Sequence, residues 1–170
     1  ACREAGAAKI IVTGLEADAK KLALARRFGA HATIDVENEN VRKRIRELTN
    51  GRGADVVVDV SSYAVEPVAE ALDYARMGGT IVLAGVKGFK EMPGFISDKI
   101  VMKEVTIHGA IGVTSTGYAN AIRLLESKKY PVEAMHTHDF ELREAELAIR
   151  TLARQVPGEE SIHSCLIPEH

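Results

Sequence analysis

Residues 53–86 read GADVVVDVSSYAVEPVAEALDYARMGGTIVLAGV, and this stretch predicts a strand, a helix and a second strand in close succession. Two apolar runs rich in β-branched residues, Ala54–Val60 and Thr80–Gly85, are typical of buried strands. Pro67 falls in the first turn of the intervening helix, where proline is tolerated, and Gly78-Gly79 is expected to end that helix. Apolar side chains recur between the strands at helical spacing, at Val65, Val68, Ala69 and Leu72.

The same pattern extends in both directions along the chain. Lys9–Gly14 and Val105–Ile111 are also continuous apolar runs, and Ala32–Val36 is a weaker one. Residues 41–48 carry apolar side chains at helical spacing. Strands that alternate with helices over short connections predict an α/β fold with a doubly wound parallel sheet. Because the apolar runs are continuous rather than alternating, we expect helices on both faces of that sheet.

Length, charge and composition exclude several classes of protein. The 170 residues favour one domain, and 46% hydrophobic with 27% charged residues exclude a disordered chain. A net charge of −2 offers no basic surface to nucleic acid or to an anionic membrane. The sequence has no apolar run that could span a bilayer and no signal-peptide pattern. Cys2 and Cys165 form no ligand-spaced cluster, so we expect a reducing, cytoplasmic setting.

The predicted carboxyl ends of the strands are built from small residues. In an open parallel sheet, ligands bind outside these ends. Glycine, alanine and serine there leave room for a ligand to lie across the strand ends and to meet backbone groups, although the same residues also simply terminate strands. The segments concerned are Thr13–Glu16, Val60–Ser62, Ala84–Val86 and Gly109–Gly112.

Several motifs follow one another along the chain: GAAKIIVTG, LALARRFGA, GADVVVDVSS, GGTIVLAGV, VTIHGAIG, THDFEL and GEESIHSCLIP. In this order and spacing they resemble the C-terminal half of a medium-chain dehydrogenase/reductase, of the zinc-containing alcohol and polyol dehydrogenase group. The resemblance implies a coenzyme-binding Rossmann domain at residues 1–112 and a segment at 113–170 that returns to a catalytic domain. It implies that the first Rossmann strand, its glycine-rich phosphate loop and the zinc-binding domain precede Ala1. Since ACREAG resembles the last turns of a helix, we expect the chain to be a piece of a longer one.

The resemblance implies NAD or NADP as the coenzyme and places particular residues against it. Relatives often have the acid that accepts the ribose hydroxyls of NAD at the position of Gly14, and here Glu16 follows two residues later. No arginine between residues 13 and 19 can take the 2′-phosphate of NADP, which favours NAD. His163 stands where many relatives place an arginine on the pyrophosphate, and it can donate a hydrogen bond there. The predicted coenzyme residues are Gly14, Glu16, Ser61, Gly85, Val86, Ala110, Ile111 and His163.

Other residues of chemical interest are given no catalytic role. His136 and His138 lie two residues apart on one face of a predicted strand, and two ligands without a third are weak grounds for a metal site. Asp59 lies within a buried strand and is expected to accept structural hydrogen bonds, and Cys2 is expected to pack. We therefore predict no catalytic residue and no metal ligand in this chain, with zinc bound elsewhere in the complete enzyme.

The resemblance implies an oxidoreductase that oxidises a secondary alcohol or polyol with NAD(P), or reduces the corresponding carbonyl. A zinc-free NADPH-dependent quinone or enoyl reductase is the alternative within the same family. A non-catalytic nucleotide-binding module is the alternative from another class. Val105–Ile111 is apolar and lies at an edge in the Rossmann strand order, so we expect a homodimer or tetramer joined through this strand.

Overall fold

The computed structural model describes residues 1–168. Its strands are β1 (Ile11–Gly14), β2 (Ala32–Asp35), β3 (Ala54–Asp59), β4 (Ala75–Leu83), β5 (Thr106–Gly109), β6 (His138–Glu141) and β7 (Ser164–Ile167). Its α-helices are α1 (Ala19–Arg27), α2 (Val41–Leu48), α3 (Glu66–Tyr74), α4 (Asp98–Lys103), α5 (Ser115–Glu126) and α6 (Ala145–Leu152). Among residues 1–168, none of the helices combines the length and apolar character that crossing a membrane requires.

Parallel strands joined by helices make this an α/β, Rossmann-like fold, and the predicted fold class is confirmed. β3, β4 and β5 form a parallel sheet in that order, β6 pairs in parallel with β7, and β1 lies beside β2. The chain divides into two compact units: unit 1 contains residues 1–33 and the chain from Ser115 onward, and unit 2 contains residues 34–114. The domain limits inferred from the sequence, 1–112 and 113–170, stay a prediction.

The hydrophobic core of unit 2 lies on one face of the β3-β4-β5 sheet, where α3 and α4 pack. On the opposite face, Val56 and Val58 of β3 are 55% and 47% exposed. Both helices that contact β4 therefore lie against the same face of this three-stranded sheet, and within unit 2 the side of Val56 and Val58 is exposed. The core residues are Ala71, Leu72, Ala75, Ile81 and Val105.

The junction between α3 and β4 differs from its prediction. The helix ends at Tyr74 and the strand follows at once, so Gly78-Gly79 lies inside β4 rather than at the helix end. Residues 76–79 form a bulge, across which the pairing of β4 with β3 shifts register. A Cβ on Gly79 would lie 2.9 Å from the Arg76 carbonyl oxygen, which is too close for any other residue. The glycine pair therefore serves the bulge.

Local contacts explain where two helices of unit 2 begin and end. The Asn40 side-chain oxygen accepts a hydrogen bond from the Lys43 N–H at 2.9 Å and caps the start of α2. The last carbonyl groups of a helix have no partner within it. At the end of α3, the Lys103 ammonium donates to the carbonyl oxygens of Leu72 and Ala75, at 2.6 and 2.5 Å. These contacts fix α2 and α3 at the positions from which they pack on the sheet.

Unit 1 brings the beginning of the chain against its C-terminal segment. The Tyr130 hydroxyl donates to the Glu4 carboxylate at 2.7 Å, and the Arg154 guanidinium pairs with Asp18. The first residues form turns, and Cys2 is exposed. The prediction that Cys2 packs is therefore wrong, because no apolar neighbour covers it within residues 1–168.

Candidate functional site

The carboxyl ends of β3, β4 and β5 meet at one edge of the unit 2 sheet. The Gly85 N–H donates to the Asp59 carbonyl oxygen at 3.1 Å, and the Ala110 N–H donates to that of Leu83 at 2.9 Å. These bonds tie the segment after each strand to its neighbour, as expected where strand ends form a binding edge. The structure thereby brings to this edge the predicted residues Ser61, Gly85, Val86, Ala110 and Ile111.

The segments after β3 and β4 approach each other through their backbones. A Cβ on Gly85 would lie 1.9 Å from the Ser61 carbonyl oxygen, so no other residue fits there without moving the chain. The Tyr63 N–H donates to the Val86 carbonyl oxygen at 3.1 Å. The sequence predicts Gly85 as a small residue beside a ligand, and in the structure it also permits this close contact between the two segments.

A buried ion pair also joins the segments that follow β3 and β4. The Lys87 ammonium lies 2.7 Å from the Asp59 carboxylate and donates to the Ser61 hydroxyl oxygen at 2.9 Å. The Ser61 hydroxyl in turn donates to Asp59 at 2.6 Å. Burial by itself raises the pKa of Asp59, but the hydrogen bonds from Lys87 and Ser61 outweigh it and hold that pKa below its ordinary value.

This network gives Asp59 the structural role that the sequence suggested. It also engages the Ser61 hydroxyl. The Ser61 N–H donates to the Asp59 carboxylate at 3.1 Å and the Ser61 carbonyl oxygen accepts from the Lys87 ammonium at 2.5 Å, so Ser61 shapes the edge through contacts within the protein. Lys87 was missed from the sequence, where a lone lysine after a strand has no distinguishing pattern.

Apolar side chains stand open at the carboxyl edge. Val60 is 73% exposed, Val86 is 57% exposed and Ile111 is 90% exposed. Apolar surface beside a few polar backbone groups is the usual composition of a small-molecule site. The planar rings of a nucleotide would cover such a surface, and its hydroxyl groups could reach the neighbouring backbone.

In unit 1, Gly14 ends β1 and Glu16 stands exposed in the 3-10 turn that follows. A Cβ at position 14 would lie 3.1 Å from a methyl carbon of Leu22, so an acidic side chain there requires Leu22 to move. Asp18 is already engaged, since Arg154 pairs with it and the Leu15 N–H donates to it at 3.2 Å. Glu16 is an exposed acid that follows β1.

His163 lies just before β7 in unit 1, in a cluster that sequence reasoning missed. Its Nδ1 lies 3.2 Å from Nδ1 of His136, and one ligand atom from each of His136, His163 and Cys165 lies within 4.8 Å of the others. His138 does not join them, because its Nε2 faces Glu159 at 3.1 Å. The prediction that His136 and His138 share one face of a strand is wrong, since β6 begins only at His138.

Known proteins resemble this chain over most of its length. Residues 1–127 match the family described as zinc-binding dehydrogenase. A protein of Mycobacterium tuberculosis named probable alcohol dehydrogenase is 41% identical over 170 residues, which cover 99% of this chain and 46% of that protein. An erythritol/L-threitol dehydrogenase of Mycolicibacterium smegmatis is 32% identical over 92% of this chain and 42% of its own length.

A solved structure shows the same fold. An alcohol dehydrogenase from Thermotoga maritima superposes with a TM-score of 0.85 at 24% identity, over 98% of this chain and 45% of that one. The chain spans about half the length of the curated relatives that it matches.

Proposed function

Because the chain belongs to the zinc-binding dehydrogenase family, we propose that it forms the coenzyme-binding part of an enzyme that oxidises a secondary alcohol or polyol, or reduces the corresponding carbonyl. The observation that carries this proposal is the family match over residues 1–127, which includes the whole carboxyl edge of unit 2. The names of the relatives, alcohol dehydrogenase and erythritol/L-threitol dehydrogenase, support the substrate class.

The residues at the carboxyl edge fit a dinucleotide coenzyme. The edge offers exposed apolar side chains at Val60, Val86 and Ile111 for the coenzyme rings. Ala110 and Ile111 follow β5, where backbone groups can meet a carboxamide. From the family resemblance we also propose that Glu16 accepts ribose hydroxyls and that His163 donates to a pyrophosphate. We propose NAD as the preferred coenzyme.

When bound, a nicotinamide coenzyme would supply a hydride acceptor for the alcohol carbon, and zinc would supply a Lewis acid for the alcohol oxygen. We propose that residues outside this chain hold that zinc. The residues of this chain bind and orient the coenzyme. The backbone contact between Gly85 and Ser61 fixes the carboxyl edge, and the Lys87–Asp59 ion pair supports that edge. No described residue is assigned to proton transfer.

An assay of the intact protein tests this function. We expect oxidation of at least one secondary alcohol or polyol from a panel, followed by the absorbance of the reduced nicotinamide. A panel of quinones and enones with NADPH tests the zinc-free alternative. Absence of turnover in both panels, with no coenzyme binding by calorimetry, would contradict the proposal.

The coenzyme preference predicts the effect of one substitution. In the intact protein, Glu16→Ala should weaken NAD binding by about tenfold or more, because hydrogen bonds to a charged group contribute about 1.5–3 kcal/mol. NADP binding should change little, so the difference between the two coenzymes narrows. Glu37→Ala, at an exposed acid in another turn, is the matched control and should leave both affinities unchanged. Equal affinity of the wild-type protein for NAD and NADP by fluorescence titration rules out this role for Glu16.

We also propose that the intact protein self-associates through β5. All residues of this strand are exposed, and it pairs with β4 along one side within the described chain. Since the Ala110 N–H points toward β4, the Gly109 N–H points toward the open edge. Gly109→Pro removes that donor and should yield monomers by analytical ultracentrifugation, whereas Gly109→Ala, with open space around its Cβ, should remain a dimer or tetramer. A monomeric wild-type protein refutes the proposal.

A further inference from the structure

The cluster of His136, His163 and Cys165 in unit 1 is held by the pairing of β6 with β7. In this parallel pair, His138 lies opposite Ser164 and Asp139 lies opposite Cys165. His136 precedes β6 and His163 precedes β7, so the register brings the two imidazoles to the same end of the pair. The rings meet edge to face, with centroids 5.5 Å apart and planes inclined by 62°, which allows their nitrogen atoms to converge.

Asp139 orients the His136 ring. Its carboxylate lies 3.0 Å from Nε2 of His136. We assign the proton of the neutral imidazole to Nε2, because a carboxylate there accepts a hydrogen bond, and this leaves the lone pair of Nδ1 directed toward His163. A carboxylate behind a histidine in this way is the usual second partner of a metal-binding imidazole.

Thr137 fixes the backbone of His163. The Thr137 hydroxyl donates to the His163 carbonyl oxygen at 3.0 Å and accepts from the Ile162 N–H at 3.1 Å. The Thr137 N–H donates to the same carbonyl oxygen at 3.0 Å. The His136 ring and the His163 backbone are therefore held in position by neighbouring contacts, which reduces the reorganisation that binding a metal requires.

The distances within the cluster suit a tetrahedral metal ion. Two nitrogen atoms that each lie about 2.0–2.1 Å from a tetrahedral zinc are about 3.3 Å apart, and the two Nδ1 atoms are 3.2 Å apart. A sulfur at about 2.3 Å from the same ion lies about 3.6 Å from each nitrogen, and the ligand atoms of this cluster are no more than 4.8 Å apart. A movement of up to about 1.2 Å of the Cys165 side chain closes the site.

We propose that His136, His163 and Cys165 bind a divalent cation of the zinc type. Imidazole and thiolate are ligands that zinc prefers, whereas magnesium and calcium require oxygen. Three protein ligands leave the fourth position of a tetrahedral ion for water or another small ligand. That position opens to solvent, because both histidines are exposed and line a groove of about 950 Å³ together with Tyr130 and Met135.

The proposed metal site and the proposed coenzyme role of His163 use different atoms. The metal takes Nδ1 of His163, and its Nε2 then carries the proton and can donate to a phosphate. The proposed metal site is argued from contacts within unit 1 alone. Its failure and the failure of the proposed dehydrogenase function are therefore distinguishable.

Cobalt titration of the intact, untagged, metal-free protein tests the site. Cobalt(II) replaces zinc and reports a bound thiolate by a charge-transfer absorption. Cys165→Ser should bind one Co²⁺ fewer per chain than wild type and lose the corresponding part of that absorption. Cys2→Ser, at the other, exposed cysteine, should retain the bound Co²⁺ and the full charge-transfer absorption. Asp139→Asn should keep the site but weaken it about 10–100-fold.

A second pair of variants keeps the test decisive if Cys165→Ser folds poorly. His136 is exposed, so His136→Gln should leave the circular dichroism spectrum unchanged while it removes the same Co²⁺. His138→Gln, at the neighbouring histidine outside the cluster, is its control and should bind as wild type. Equal Co²⁺ content and equal absorption in wild type and His136→Gln overturn the proposal, as does an equal loss in either control.

Discussion

The 170-residue chain, produced by itself, is expected to show no dehydrogenase activity and to bind NAD no more tightly than about millimolar. The prediction rests on the proposed function and on the family resemblance, which implies a further strand with a glycine-rich phosphate loop outside these 170 residues. That loop and the helix after it supply the backbone N–H groups that hold a pyrophosphate. Without them, the edge around Gly85 and Ala110 holds the rings of the coenzyme but not its charge.

The sheets themselves show why the isolated chain should also aggregate. Within residues 1–168, β1 pairs with β2 alone and β3 pairs with β4 alone, so each has one open edge. Val56 and Val58 of β3 add exposed apolar surface beside such an edge. Each backbone group left unpaired at such an edge lowers the stability by about 1–3 kcal/mol if it is buried. The total stability of a domain is only about 5–15 kcal/mol.

Calorimetry measures the affinity of the chain for NAD, and light scattering measures its aggregation. A protein extended upstream through the strand and loop that the family resemblance implies, but without a zinc domain, is the informative control. It should recover coenzyme binding and solubility but not turnover. Micromolar NAD binding by the 170-residue chain alone would show that the strand is dispensable.

The second large effect concerns the buried ion pair beneath the carboxyl edge. Lys87→Met should lower the free energy of unfolding by about 3–5 kcal/mol at neutral pH, because it leaves the Asp59 charge buried without a cation. The side chains of Lys87 and Asp59 are 15% and 5% exposed, so solvent screens the pair little. Lys90→Met is the control: this exposed lysine of the same loop donates to the Tyr63 carbonyl oxygen and lies over the Tyr63 ring, so its loss should change the stability by about 1 kcal/mol or less.

Two further measurements separate this effect from a loss of packing. Adding Asp59→Asn to Lys87→Met should recover part of the lost stability, since the charge is then removed from both sides. The pKa of Asp59 is lowered in the folded protein, so its contribution to stability is present above the unfolded pKa of about 3.9 and is lost as the pH falls through the folded pKa. The difference between wild type and Lys87→Met, measured by urea unfolding, should therefore shrink in acid. A pH-independent difference with no recovery in the double variant contradicts the role of charge.

The local sequence pattern was sufficient to predict the strands of the sheet in unit 2. The valines of β3 and the apolar run of β4 predicted strands, because continuous β-branched residues favour extended backbone in a covered sheet. The order of the motifs was sufficient for the family. The limits of α3 and β4 could not be predicted, since Gly78-Gly79 is equally compatible with a helix end and with a bulge, and the pairing with β3 selects the bulge.

The candidate site likewise contains residues that the sequence predicted and a residue that only the structure revealed. Small residues at strand ends pointed to Ser61, Gly85 and Ala110 from the sequence, because the ends of parallel strands meet at one edge. Lys87 could not be found, since its partner Asp59 lies in a different strand–loop segment and their contact exists only when the sheet is formed.

What the sequence determined by itself was the kind of element at each position and the family to which the chain belongs. The tertiary structure alone decided that His136 meets His163 and Cys165 rather than His138. The physical reason is the register of β6 against β7, which are parallel and separated by α6. Parallel strands are joined by long crossovers, so their register is set by packing between distant segments and not by any pattern within either strand.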